Sequence, residues 1–283
     1  VDALTAAGWD KQRRDAGPPQ QNDDGRMTND EGVSDCRLIV DPPLSGAWNM
    51  AVDEVLLDDA STTGRPTWRF YQWSEPTLSL GYFQPEADRR AHAASADCPV
   101  VRRLTGGGAI LHDRELTYSV IVPADHRLAT HRDRLYEAVH GSLIELLADR
   151  QLAADLARPE RPTPPAEEPF LCFQRRAQGD VVLEGVKIAG SAQRRRRGAV
   201  LQHGSVLLDT SRAAPEIAPP GSIEAASLSP DRLAELWLPT LARRLGFRFQ
   251  REPPSAGERR KADQLVATRY GTAQWTSARR SGR

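Results

Sequence analysis

The segment VVLEGVKIAGSAQRRRRGAVLQHGSVLL, residues 181–208, constrains the fold more tightly than any other part of the chain. VVLEGV and IAGSA are apolar runs on either side of Lys187 that read as strands, with a turn at Glu184-Gly185, and Gln202 and His203 fall on the strand that follows. The lysine among them is unusual. The chain carries 38 Lys plus Arg, yet Lys occurs only at positions 11, 187 and 261. Where a cation merely has to be charged this chain writes Arg. A lysine between two strands therefore suggests a compact ammonium that donates to one developing charge, or deprotonates, which guanidinium does badly. The other reading is a surface lysine on the shoulder of a hairpin, and the residues alone leave both open.

The second informative segment is VVRRLTGGGAILHD, residues 100–113, which reads as a Gly-rich hairpin. Gly106, Gly107 and Gly108 strip side chains from the turn, so that backbone N–H groups and bare Cα surface can approach a ligand closely. A plain turn is the alternative. No GK[ST] follows, and no GxGxxG opens a helix, so neither a P-loop nor a dinucleotide fingerprint is present. Arg102, Arg103 and His112 flank the glycines, either as solvated or satisfied polar residues or as part of a site.

A chain of 283 residues with 39% hydrophobic content can bury a substantial core. Its 38 basic residues are balanced by 38 acidic ones, so no global field steers it toward nucleic acid or an anionic membrane. No apolar run approaches a membrane span and the N-terminus has no secretory pattern, which together lead to the expectation of a cytoplasmic protein. Cys36, Cys98 and Cys172 are odd in number and lack metal-ligand spacing, against both a disulfide framework and a zinc site.

Residues 1–35 are polar and turn-rich and are expected to be a disordered leader, with Met27 as an alternative translation start. The rest, 36–283, reads as one domain. CRLIV at 36–40 is a strand, and LSGAWNMAVDEVLLDDA is an amphipathic helix capped by Ser45. PTWRFYQWSEPTLSLGYFQ is two strands joined at Ser74-Glu75-Pro76, and Pro85–Ala94 a short helix. A longer helix begins at Arg132, with Leu135, Val139, Leu143, Leu146 and Leu147 on one face. The Pro-rich stretch 157–169 is a surface linker or lid that delivers Cys172. Two helices close the chain.

RRLTGGGAILHDRELTYSV resembles a signature of the lipoate and octanoate protein-attachment family, which shares its fold with biotin protein ligase, and GVKIAGSAQRRRRGAVLQHGSVLLD resembles the second signature. With NMAVDEVLL, RFYQW, TLSLGYFQ and the final RYGTAQW, the resemblance runs in order from about residue 38 to residue 275. It implies an α+β fold: a mixed, largely antiparallel central sheet, a smaller second sheet and flanking helices. It also implies protein acylation, with Lys187 contacting the acyl carbonyl.

Within that family, ligases use ATP and Mg to form an acyl-adenylate, whereas transferases need no cofactor and pass the acyl group through a cysteine thioester. Cys172-Phe173 stands fifteen residues before Lys187 and resembles the nucleophilic Cys-Phe of the ligase-like octanoyltransferases. The chain also stops soon after the catalytic region, which fits the transferases. Against this, the usual Pro-Ser-Trp-Tyr-Glu after Cys-Phe is here QRRAQGD, with Asp180 where a carboxylate is expected.

The resemblance implies an acyl carrier protein or lipoyl carrier protein as donor. It implies the H protein of the glycine cleavage system, or lipoyl domains of 2-oxoacid dehydrogenases, as acceptor. The expected chemistry follows: Lys187 holds Cys172 as thiolate, backbone N–H groups near Gly190 and Ser191 hold the oxyanion, and the acyl tail lies beside Gly106, Gly107 and Gly108. Arg103, His112 and His203 complete the substrate-binding set, with a structural role for His203 left open. The basic run Arg194–Arg197 is either a solvated face or a docking patch for an acidic carrier.

Overall fold

The computed structural model describes residues 32–158 and 168–278. Residues 1–31 of the expected leader and 159–167 of the expected linker lie outside the described residues. From Ser34 onward the chain forms one compact unit.

The central sheet has eight strands: β1 (Ser34–Val40), β2 (Thr67–Tyr71), β6 (Glu115–Val122), β7 (Ala154–Leu156), β8 (Val181–Leu183), β9 (Val186–Arg196), β10 (Ala199–Leu207) and β11 (Phe247–Arg251). Their spatial order is β11-β1-β2-β6-β10-β9-β8-β7. Only β1 makes parallel pairs, with β11 and β2; the other neighbours are antiparallel. A second sheet contains β3 (Thr77–Leu80), β4 (Val100–Arg102) and β5 (Ile110–His112) in the order β4-β3-β5. The mixed, mainly antiparallel sheet with a small partner sheet agrees with the expected class.

Strand alternation assigns side chains to two buried faces. Leu38, Trp68, Val120 and Val200 face the helices α2 (Arg132–Ala148) and α4 (Pro230–Leu245), where Trp68 stacks on Tyr118 at 5.2 Å and Trp237 meets both edge-on. Ile39, Ile121 and Leu201, one residue along each strand, face α1 (Gly46–Thr63) and α5 (Ala256–Leu265). The predicted stripe of α2, from Leu135 to Leu147, is no more than 2% exposed. Two short helices, α3 (Gly221–Ala225) and α6 (Ala273–Ser277), complete the set.

Two expectations change, and two features lie beyond what was expected. VVRRL and AILHD do not form a hairpin, because β3 lies between them, pairing parallel with β4 and antiparallel with β5. The two strands of PTWRFYQWSEPTLSLGYFQ belong to different sheets. Helix α1 begins on the Ser45 cap but is not simply amphipathic, since Asn49, Asp53 and Glu54 are buried with its apolar residues. Finally, FRFQR forms β11, which an alternating charged pentapeptide does not announce; β1 supplies the edge that makes it a strand.

Candidate active site

Cys172 begins a single 3₁₀ turn, and backbone contacts tie it to the Gly-rich segment. Ala109 N–H donates to Phe170 O at 3.1 Å and Cys172 N–H to Ala109 O at 2.7 Å, with Leu171 fully buried between them. The chain that leaves the Pro-rich stretch is thus fixed beside the glycines, and Cys172 remains partly exposed at the cavity.

Lys187 reaches the same place from β9. β8 and β9 lose register between Val181, which faces Ala189, and Val182, which faces Lys187. In a regular strand residues 187 and 190 would point to opposite faces; the bulge removes that parity. The consequence is visible at Gly190, where a Cβ would sit 2.7 Å from Lys187 Cε and 2.9 Å from Asp180 Oδ1. Glycine is required because the lysine folds across it.

The Lys187 ammonium donates to Asp180 Oδ2 at 2.9 Å and to Cys172 O at 3.2 Å, and stands 3.7 Å from Cys172 Sγ. The Phe173 ring lies 5.6 Å away, within cation–π range. Lys187 is 5% exposed, so the surface-lysine reading does not hold. Burial alone would lower its pKa, but its contacts with Cys172 and Asp180 outweigh it and hold the lysine above its ordinary value.

These groups open onto a cavity whose lining includes Arg103, Gly106, Gly107, His112, Cys172, Lys187, Gly190, Ser191 and His203. Nine of the ten residues expected at the site therefore converge. Gly108 does not line it; a Cβ there would meet the Arg175 guanidinium at 2.7 Å, so this glycine makes room for a side chain. Gly107 adopts φ +93°, and its carbonyl would lie 1.9 Å from a Cβ at Gly81, so two backbones pass in contact at the rim. Gln202 is buried outside the lining and is held by Gln193 at 2.8 Å. Sequence reasoning missed Met50, Ile110, Phe173 and Ala192, the apolar part of the wall. Phe173 adjoins Cys172 in sequence, whereas the others enter only through the fold.

Arg103 is 3% exposed, and its donors go to neutral acceptors: Ser79 O at 2.9 Å, and Gly106 O and Gly108 O at 2.7 Å each. Burial pushes its pKa down to about 10. It shapes the Gly-rich loop by binding two of its carbonyls while leaving a positive charge at the cavity.

His112 stacks on Trp73 at 3.9 Å and bonds Glu115 at 2.7 Å and Ser79 at 2.9 Å. His203 bonds Asp53 at 3.1 Å and Thr105 at 2.6 Å. Both imidazoles are held on both nitrogens, as wall residues rather than free bases. The Ser191 hydroxyl is likewise engaged, by Tyr118 and by His140 Nε2 at 2.5 Å. Arg196 of the basic run is bound to Glu54 at 2.8 Å and Asp58 at 2.7 Å, and Arg194 lies over the Tyr82 ring at 5.1 Å. The run is therefore not four equivalent solvated charges.

Residues 45–218 match the lipoyl protein ligase A/B catalytic domain, and the chain belongs to this family. It is 36% identical over 268 residues to an octanoyltransferase LipM of Kyrpidia tusciae, covering 84% of this chain and 97% of that protein. It is 43% identical over 173 residues to an octanoyltransferase LipM of Geobacillus kaustophilus, covering 58% and 62%. Among solved structures, lipoate-protein ligase A bound with ATP superposes with a TM-score of 0.69 at 21% identity, covering 87% of this chain and 98% of that one. A bi-partite lipoate protein ligase of Thermoplasma acidophilum gives 0.65 at 22% identity, covering 88% and 99%. At those identities the structures establish the fold alone.

Proposed function

We infer that this chain is an octanoyltransferase that works through a thioester on Cys172 and delivers the acyl group to a lysine of a lipoyl-bearing protein. The observation that carries this is the placement of Lys187 Nζ 3.7 Å from Cys172 Sγ at the cavity, in a member of a family whose matched relatives are octanoyltransferases.

The thiolate attacks the carbonyl of the donor thioester, the donor's C–S bond breaks, and the departing thiolate takes a proton from the Lys187 ammonium and leaves as thiol. The acyl-enzyme then holds neutral Lys187. The acceptor amine attacks the Cys172 thioester, its proton passes to Lys187, and Cys172 leaves as thiolate, which restores the starting ion pair. The acyl tail occupies the Met50–Ile110–Ala192 wall beside Gly106 and Gly107. Donor and acceptor are carrier proteins, and Arg194, Arg195 and Arg197 serve as the basic face toward the acidic donor. Three free thiols suit a reducing cytoplasm.

Incubation with octanoyl-acyl carrier protein should add the mass of one octanoyl group at Cys172, in a bond cleaved by hydroxylamine. Lack of the adduct, with activity only on addition of ATP, would reassign the chain to the ATP-dependent ligases.

A further inference from the structure

We propose that Asp180 is a positioning residue of the catalytic group: its carboxylate, 2.9 Å from Lys187 Nζ, aims the ammonium at Cys172 and sets the basicity of Lys187 once Cys172 is acylated. The proposal rests on the Cys172–Lys187 reading above and adds to it a third member.

Asp180 is itself fixed. Its Oδ2 accepts the Ala177 N–H at 2.7 Å, and its carbonyl accepts from Ala157 N–H at 2.7 Å, so the loop 177–180 is bound to the chain on the far side. His140, on α2 behind the sheet, clamps the same loop to β9. Its Nδ1 lies 2.5 Å from Gly179 O, and its Nε2 lies 2.5 Å from Ser191 Oγ. A carbonyl can only accept, so Nδ1 carries the hydrogen and Nε2 accepts from Ser191. Burial lowers the pKa of His140 and keeps it in this neutral form. The strand that bears Lys187 and the loop that bears Asp180 thus share one buried imidazole.

The charges explain why a carboxylate belongs there. In the proposed mechanism the attacking form of the enzyme has Lys187 between the Cys172 thiolate and Asp180. Acylation removes the thiolate charge, and burial then works against the ammonium with only Asp180 opposing it. The proton that Lys187 gives to the departing donor thiol is the one it must recover from the acceptor amine, and a carboxylate at 2.9 Å strengthens that recovery. Other ionisable groups around the pair are the buried Tyr118 hydroxyl, His140, and Arg103 across Cys172. Burial favours the neutral form of His140 and lowers the Arg103 pKa to about 10, so Lys187 is followed by its own resolved signal rather than by a pH profile of the rate.

The chain offers a direct readout, because it contains only three lysines. With ¹³Cε-labelled lysine, the Lys187 signal is assigned by its loss in Lys187→Arg and titrated in the octanoylated protein. In Asp180→Asn the midpoint should fall by about one pH unit or more, and acyl discharge in a single turnover should slow roughly tenfold to a hundredfold. Asp180→Glu should return the midpoint toward the wild-type value even where the rate stays low, and if the Asn variant does not fold Asp180→Ser, which also lacks the carboxylate, is titrated in its place. An unmoved midpoint in Asp180→Asn, with both half-reactions slowed in proportion, would reduce Asp180 to a structural residue and overturn the proposal while the dyad stands. Wild-type protein that forms no Cys172 thioester would remove the dyad itself, and the proposal with it.

Discussion

Arg69 and Lys187 are both buried cations in the central sheet, 0% and 5% exposed, and their surroundings differ in kind. Arg69 spreads its guanidinium over Asp41 at 2.7 Å, Asp53 at 2.9 Å and both oxygens of Asn49, and lies 4.0 Å from the centre of the Tyr71 ring. Asp53 in turn accepts from Tyr71, Ser119 and His203. Burial pushes the Asp53 pKa upward, but His203 and Arg69 outweigh it and hold the carboxyl below its usual value. Around Arg69 every partner is another fixed part of the protein. Lys187 has one fixed carboxylate, Asp180, and turns toward the Cys172 thiol, whose charge changes in the proposed reaction. A saturated charge network locks a fold; one that includes a reagent in its partner set can do chemistry.

The sharpest way to break the comparison is to damage the closed network. Asp53→Ala leaves Arg69 buried with one carboxylate and His203 without its acceptor, and should cost about 3–5 kcal/mol of stability in chemical denaturation. A loss below 1 kcal/mol would mean that the cluster is not what holds α1 against the sheet.

On the open side, Lys187→Arg should cost about 1–3 kcal/mol of stability, less than Asp53→Ala, but lower turnover at least about a hundredfold. Guanidinium keeps the charge but does not surrender the proton, and its bulk meets Gly190 and Asp180. An active Arg variant would reduce Lys187 to an electrostatic partner of the thiolate.

The smallest effect separates the arginines of the run. Replacing Arg194, Arg195 and Arg197 by Gln should raise the apparent KM for the acyl carrier protein by about two- to fivefold, and flatten its salt dependence without slowing single-turnover transfer. Arg196→Gln, which takes the arginine from Asp58 and leaves Glu54 to Arg269 and Tyr270, should lower the melting temperature with KM unchanged. Equal KM effects at all four positions would put Arg196 in the docking face as well.

Much of the fold was legible because local rules and tertiary packing agree. The α2 stripe, the Ser45 cap, the Glu184-Gly185 turn and the strands at IAGSA and at Gln202-His203 are written in periodicity and turn chemistry and lie where those rules put them, although β9 continues through the basic run to Arg196. The misread parts share a cause. β11 and the separation of β4 from β5 depend on which edge another strand presents, and that is not a local property.

The sequence by itself determined the chemistry available: a cysteine fifteen residues before a rare lysine, a run of glycines, and an Asp in the stretch between them. Residue type fixes which groups can be nucleophile, acid or base, and it does so wherever they lie. Only the tertiary structure decided that Asp180 and Cys172 share one ammonium, that His112 and His203 are held on both nitrogens, and that Gly108 shelters Arg175 rather than lining the cavity. Ion pairs and hydrogen bonds act over a few ångströms. The bulge after Lys187, the bridge from Ala109 to Leu171 and the His140 clamp bring distant segments within that range, and spacing along the chain does not encode it.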